Sequence, residues 1–152
     1  MANQMRGRSV GNGMYGLRAL ALMLGLFFLF NGLDKIAWLS DSGILAARLQ
    51  GWLQNAPSST RWYIETVAAP GVPLFAKLVP LAELSTGVAL IIGFWTRLAA
   101  TLAFFMVLNF HFARGFIFDP EFLMDGTGFP VLGGLLALAL SRSALPFSVS
   151  KS

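Results

Sequence analysis

Few side chains in this sequence can carry charge chemistry, and Glu83 stands out among them. It falls about midway along an apolar stretch, where an ionisable group costs on the order of 2.5–3.5 kcal/mol on insertion scales. A carboxyl there either pairs with a cation or acts as a hydrogen-bond donor or proton carrier. Lys77, Lys35 and His111 are the available partners. Asn31, Asp34 and Lys35 close the preceding apolar stretch. Their i, i+3 and i+4 spacing puts them on one helix face. That face is either an interfacial helix end with a snorkelling lysine or a polar mouth beside a bundle core.

Asn109, His111 and Arg114 sit at the far end of a third apolar stretch, with His111 and Arg114 on one face. A histidine, a basic residue and a nearby acid are the groups a bound quinone needs. They supply donors to its carbonyl oxygens and a proton source on reduction. A single histidine at a helix end is more often a satisfied structural group. Lys35, Lys77, Glu83, His111 and Arg114 are therefore the candidate quinone or proton site. No set of residues has the pattern of a self-contained catalytic or redox-cofactor centre.

Composition narrows the chemistry further. The chain has no Cys, which excludes disulfides, thiolate metal ligation and thiol exchange within it. One His cannot make a bis-histidine haem site and is a poor start for zinc, which takes about three or four protein ligands. The net charge is +4 and the isoelectric point about 10.1, yet the 11 Lys and Arg are scattered singly, which argues against nucleic acid. Of 152 residues 56% are hydrophobic and 12% charged, with mean hydropathy +0.68. A soluble domain averages about 25% charged. That leaves too little polar surface for a water-soluble globule, so the solvent is a lipid bilayer.

The elements that must position these residues follow from the apolar runs. Residues 1–13 are polar, basic and glycine-containing, and read as a disordered cytosolic tail; 143–152 read as a second cytosolic tail. Between them, 14–142 form one membrane domain. Spans are expected over about 15–33, 72–95, 97–114 and 129–140, the last short but Leu-rich. Arg18 near the start of the first is placed to snorkel to the interface. Pro80 is expected to kink the second span one turn before Glu83. Asp119-Pro120-Glu121 has the cap-then-proline order of a helix start, and Asp125-Gly126-Thr127-Gly128 reads as another. In the long segment 34–69, Leu45, Leu49, Trp52 and Leu53 recur at helical spacing, so one or two amphipathic helices lie in the interface plane there. Trp38, Trp52, Trp62 and Trp95 fall where an aromatic belt would be. The fold class is thus all-α, an integral membrane four-helix bundle with interfacial helices between spans one and two.

Small residues are spaced for close packing: Ala21 and Gly25 in span one, Ser85, Ala89 and Gly93 in span two, Gly133, Ala137 and Ser141 in span four. These rows suit either the bundle interior or docking onto another subunit. The basic tail before span one, with Arg6 and Arg8, orients both termini to the cytosol, and every acid except Glu83 falls on the opposite side.

The order of these features resembles a known family. A basic residue (Arg18) opens span one, followed by FLFNGLDKI with Gly32 and Lys35. A long extramembrane segment comes next, then LVPLAELSTGVALIIGFWTRLAA with Glu83, Gly87, Gly93 and Arg97. This looks like the DoxX family of small four-span bacterial membrane proteins, over roughly 18–140. The resemblance implies similarity to the membrane subunit of a thiosulfate:quinone oxidoreductase and residence in the bacterial inner membrane. It makes Gly32, Gly87, Gly93 and Arg97 family-motif positions. The reading it favours is a non-catalytic accessory subunit of a larger membrane redox or bioenergetic complex. The alternative is a quinone-linked subunit that binds quinone among spans one to three while a partner supplies electrons.

Overall fold

The computed structural model describes residues 2–141 and 145–149, with side chains from residue 13 onward apart from that of Phe118. All regular structure among them is helical. Helix α1 is Ala2–Asp34, α2 Gly43–Leu53, α3 Ser58–Tyr63, α4 Val72–Ile92, α5 Thr96–Ala113 and α6 Phe129–Ala139. Single-turn pieces follow α1 (Ile36–Leu39), continue α3 (Ile64–Ala68) and link α5 to α6 (Phe116–Phe118 and Pro120–Leu123). Residues 2–12, expected to lack regular structure, continue α1 instead. Extending an existing helix costs far less than nucleating one.

Three helices are long and apolar enough to cross a bilayer: α1 from Gly13, α4 and α5. Helix α6 has 11 residues, about 16 Å against a hydrocarbon core of about 30 Å, so the expected fourth span is a short apolar helix. The turn signals before it consume the missing length. Asp119 accepts from the Glu121 backbone N–H at 2.9 Å with Pro120 at the first helical position, and Gly128 precedes α6. Helix α4 starts with Pro73 in its first turn, passes through Pro80 without ending, and stops at Gly93 in the left-handed conformation (φ 71°).

Helices α1 and α4 run antiparallel and touch backbone to backbone. A Cβ at Gly87 would meet the Leu29 amide nitrogen at 2.7 Å and the Gly25 carbonyl oxygen at 2.9 Å. One at Gly32 would meet the Leu84 backbone nitrogen at 2.9 Å. Small residues thus do pack this pair, but in span two the one used is Gly87, whereas Ser85 faces outward. On α6, Gly133 and Ala137 also face outward and Gly134 packs near Leu20 and Leu24.

The far end of the pair is tied by Arg18, which is buried rather than snorkelling. Its Nη1 donates to the Leu90 carbonyl at 3.0 Å and its Nη2 to that of Ile91 at 2.6 Å. The last carbonyls of a helix lack intrahelical donors and carry its negative dipole end, so a guanidinium meets both needs.

Two apolar clusters result. One gathers α1, the second half of α4, α5 and α6 around Phe28, Leu90, Leu135 and Leu138. The other wraps α2 and the 64–68 turn around the first half of α4, through Leu45, Leu49, Ile64 and Ala76, with Trp38 inside it rather than in an interfacial belt. Helix α4 needs this second layer because about 11 of its residues, some 16 Å, project beyond the end of α1. Part of the expected C-terminal tail also packs: Leu145 enters the first cluster and the Val149 N–H donates to the Ile92 carbonyl at 3.1 Å. Residues 143–144 and 150–152 lie outside the described residues.

Gly87→Val forces a side chain against backbone that cannot move aside. It should lower stability by about 1–3 kcal/mol, read as a lower thermal midpoint in detergent. Gly133→Val, where a Cβ meets nothing within 4 Å, should leave the midpoint unchanged.

Candidate functional site

Where α1 ends, Lys35 turns inward to α4. Its Nζ lies 2.9 Å from Glu83 Oε1 and 2.8 Å from Oε2, and donates to the Asn31 carbonyl at 3.1 Å. Both side chains are less than one-tenth exposed. The pair is the partner choice the sequence left open. Lys77 is not part of it: six residues before Glu83, it points about 120° away around the helix, and it is exposed.

The pair forms one wall of a cavity of about 410 Å³. Phe27, Phe28 and Asn31 of α1, Trp38, Arg48 and Trp52 of the 36–53 segment, and Val107, Phe110 and His111 of α5 line it, with Arg114 and Thr127, and it is open on one side. The Arg48 guanidinium carbon sits 5.0 Å from the centre of the Trp38 ring, which holds its N–H groups at the cavity.

His111 is buried, and both ring nitrogens are engaged. Nδ1 lies 2.9 Å from the Val107 carbonyl oxygen and Nε2 3.3 Å from Asp125 Oδ2. Asp125 also accepts from the Thr127 N–H at 2.9 Å and hydroxyl at 2.8 Å, and lies 3.7 Å from Arg114 Nη1. Arg114 stacks over Phe116, 4.4 Å from its ring centre. This cluster pins the loop before α6 across the cavity's end. The Thr127 backbone N–H, aided by its hydroxyl, His111 and Arg114, holds the Asp125 carboxyl below the usual carboxylate range against the opposing effect of burial.

Four of the five sequence candidates therefore meet: Lys35, Glu83, His111 and Arg114 line one cavity, and Lys77 does not. Sequence reasoning missed Arg48, Trp38, Trp52 and Asp125 as site residues. Helical spacing placed Trp52 on the apolar face of its helix but could not say which part of the bundle that helix would cover; Asp125 was legible only as a turn former. The motif positions have structural work. Gly32 and Gly87 permit the α1–α4 approach, Gly93 ends α4, and Arg97 Nε donates to the Ala139 carbonyl at 3.3 Å, tying α5 to α6.

The DoxX family model matches residues 16–114, from the start of the apolar part of α1 to the end of α5. The chain belongs to the DoxX family. It is 32% identical over 114 residues to the inner membrane protein YqjF of Escherichia coli (strain K12), an alignment covering 68% of this chain and 86% of the relative. No solved structure matches it. The matched region of this DoxX protein contains Lys35, Glu83, Arg48 and His111, whereas Asp125, Thr127 and α6 lie beyond it.

Breaking a buried ion pair from one side leaves an uncompensated charge at a cost of about 3–5 kcal/mol, whereas replacing both partners with apolar groups is often neutral. Lys35→Met should therefore lower the thermal midpoint sharply, and Lys35→Met with Glu83→Leu should recover most of the loss. An additive double variant would contradict a direct pair.

Asp125 gives a pH signature. A carboxyl that ionises more readily folded than unfolded contributes stability above its unfolded pKa and loses it as pH falls through the folded value. The midpoint should fall on acidification below about pH 4. Asp125→Asn should flatten that acid limb in a pH series of melting curves; an unchanged limb would contradict the assignment.

Proposed function

We propose that this protein binds a quinone ring in the cavity beside Lys35 and Glu83, as the membrane subunit of a redox complex whose partner supplies electrons. The observation that carries this reading is the cavity itself: about 410 Å³, walled by aromatic rings and edged by Lys35, Arg48 and His111. Ligand sites are typically cavities of about 300–1,000 Å³, mostly apolar, with a few convergent polar groups. A purely bracing subunit has no need of one.

The residues fit a quinone. A bound quinone supplies a two-electron, two-proton acceptor, and the electrons come from the partner protein. Phe27, Phe28, Trp38 and Phe110 offer flat apolar surface to a ring and keep water out. Arg48 presents N–H donors to a carbonyl oxygen, while the Lys35 ammonium, its N–H groups taken up by Glu83 and Asn31, adds positive charge beside it. Lys35 Nζ, bonded to both Glu83 oxygens, can release an ammonium proton into the cavity, and the neutral amine left behind takes one back through the Glu83 carboxylate once that group has itself accepted a proton. His111 is chiefly a positioning residue, since it holds Asp125 and the loop that closes the cavity. The relative's name and the apolar helices support residence in a bacterial inner membrane. Arg6 and Arg8 ahead of α1 support cytosolic termini.

Trp38 and Trp52 line the cavity, so a tailless benzoquinone should quench tryptophan fluorescence saturably in the purified protein. The doubly apolar variant Lys35→Met/Glu83→Leu, checked for an intact thermal transition, should lose at least about tenfold in affinity, as expected when charge-assisted hydrogen bonds are removed. Linear quenching, or equal saturation in both proteins, would defeat the reading.

A further inference from the structure

A second hollow lies against the first. It is a groove of about 480 Å³ between α4 and α5, roofed by Leu45 and Leu49 of α2 and by Tyr63 and Ala68. Trp52 and Phe110 belong to the walls of both hollows, so the groove and the polar cavity lie on either side of the same two side chains. Its character is different. Phe75, Leu78, Val79, Leu102, Phe105 and Met106 dominate its walls, and no charged residue lines it. The two hydrogen-bonding groups nearest the roof satisfy each other: Asn109 Nδ2 donates to the Tyr63 hydroxyl at 2.7 Å. The outer lips, Leu78, Leu102 and Phe105, are more than half exposed and belong to two helices of membrane-spanning length, so the groove opens sideways into lipid. Along α4 it runs from Phe75 to Thr86, about 16 Å.

We infer that this groove holds the prenyl chain of the same quinone whose ring occupies the polar cavity, with Trp52 and Phe110 as the shared wall where ring gives way to chain. This rests on the quinone reading above and adds the substrate class: a membrane-dissolved, long-chain quinone rather than a water-soluble one. The adjacency of the two hollows across a shared aromatic wall carries it. A ligand polar at one end and apolar over the rest matches a polar cavity that adjoins, across two aromatic side chains, an uncharged groove open to the bilayer. Entry from the lipid side between α4 and α5 then needs no passage through water. Chain burial adds binding in proportion to the apolar surface removed from its surroundings.

Ser85 lies on the groove, is exposed, and does not line the polar cavity, so Ser85→Trp fills the chain path while leaving the ring site intact. Ala82→Phe obstructs the same path by another side chain. Tryptophan quenching by a tailless benzoquinone and by the same ring carrying a decyl chain would be measured for each variant against wild type in the same detergent. Each variant's quenching would be normalised to its own signal at saturation. The inference expects the decyl compound to lose about tenfold in affinity in both variants, with the tailless ring unchanged. If the tailless ring saturates but the decyl compound responds no differently to the blocked groove, the chain inference is overturned and the ring site stands. If neither compound saturates in wild type, the ring site falls and the chain inference with it. If native mass spectrometry finds a phospholipid released by Ser85→Trp while decyl-quinone affinity is unchanged, the groove belongs to an acyl chain and the inference is likewise overturned.

Discussion

A carboxylate halfway along an apolar helix has to be met by a cation, and the architecture around Glu83 is organised by that requirement. The ammonium that meets it comes from Lys35, 48 positions away in the chain. It can arrive only because α1 ends at that level and lies close enough to α4 for a single side chain to cross the gap. The closeness comes from Gly25, Gly32 and Gly87, where any Cβ would strike backbone. The ion pair and the glycine contact are therefore one device. Without the glycines the charges would stand apart in a medium that solvates neither, and without the charges nothing would specify how far α1 runs along α4.

Ending α1 at Glu83 has a cost, and the rest of the fold answers it. The first half of α4 projects past α1 and would be left without protein neighbours. The 36–71 segment folds over it, with Trp38, Leu45, Leu49 and Ile64 forming a second cluster distinct from the one among α1, α5 and α6. The polar cavity lies at the join between these clusters, where α1 stops and α2 begins. Its far end is closed by the loop that His111 and Arg114 hold through Asp125. At the other end of the α1–α4 pair Arg18 satisfies the last carbonyls of α4. Two cations, Arg18 within α1 and Lys35 just past its last residue, thus lock the pair in register, and the one beside Glu83 also faces the cavity.

Much of this was legible without coordinates, and the reasons are local. Apolar runs of span length, the proline-opened and glycine-ended α4, the Asp119-Pro120 cap and the Leu45–Leu49 face of α2 depend on neighbours within a few residues, so composition and periodicity reveal them. That Glu83 needed a partner was legible too, because the cost of an unpaired charge in an apolar helix does not depend on which cation answers it. The absence of Cys likewise settled that no thiol chemistry occurs within the chain.

Which distant groups meet depends on the three-dimensional packing of the helices. Lys77 is nearer to Glu83 in sequence than Lys35 is, yet helical rotation turns it outward. Arg18 has the sequence position of a snorkelling residue, yet the end of α4 lies within its reach. Ser85 looked like a packing residue, but Gly87, two positions on, makes the contact. Arg48 and Trp38 became cavity residues, and Asp125 came to hold His111 and Arg114 beside it, because connecting segments folded back onto α4 and α5, and no local pattern records where such a segment lands. The sequence by itself determined that this is a helical membrane protein with a buried charge to satisfy. The partner, the cavity beside it and the groove adjoining it were decided by helix rotation and by backbone approach, which depend on contacts between residues far apart in the chain.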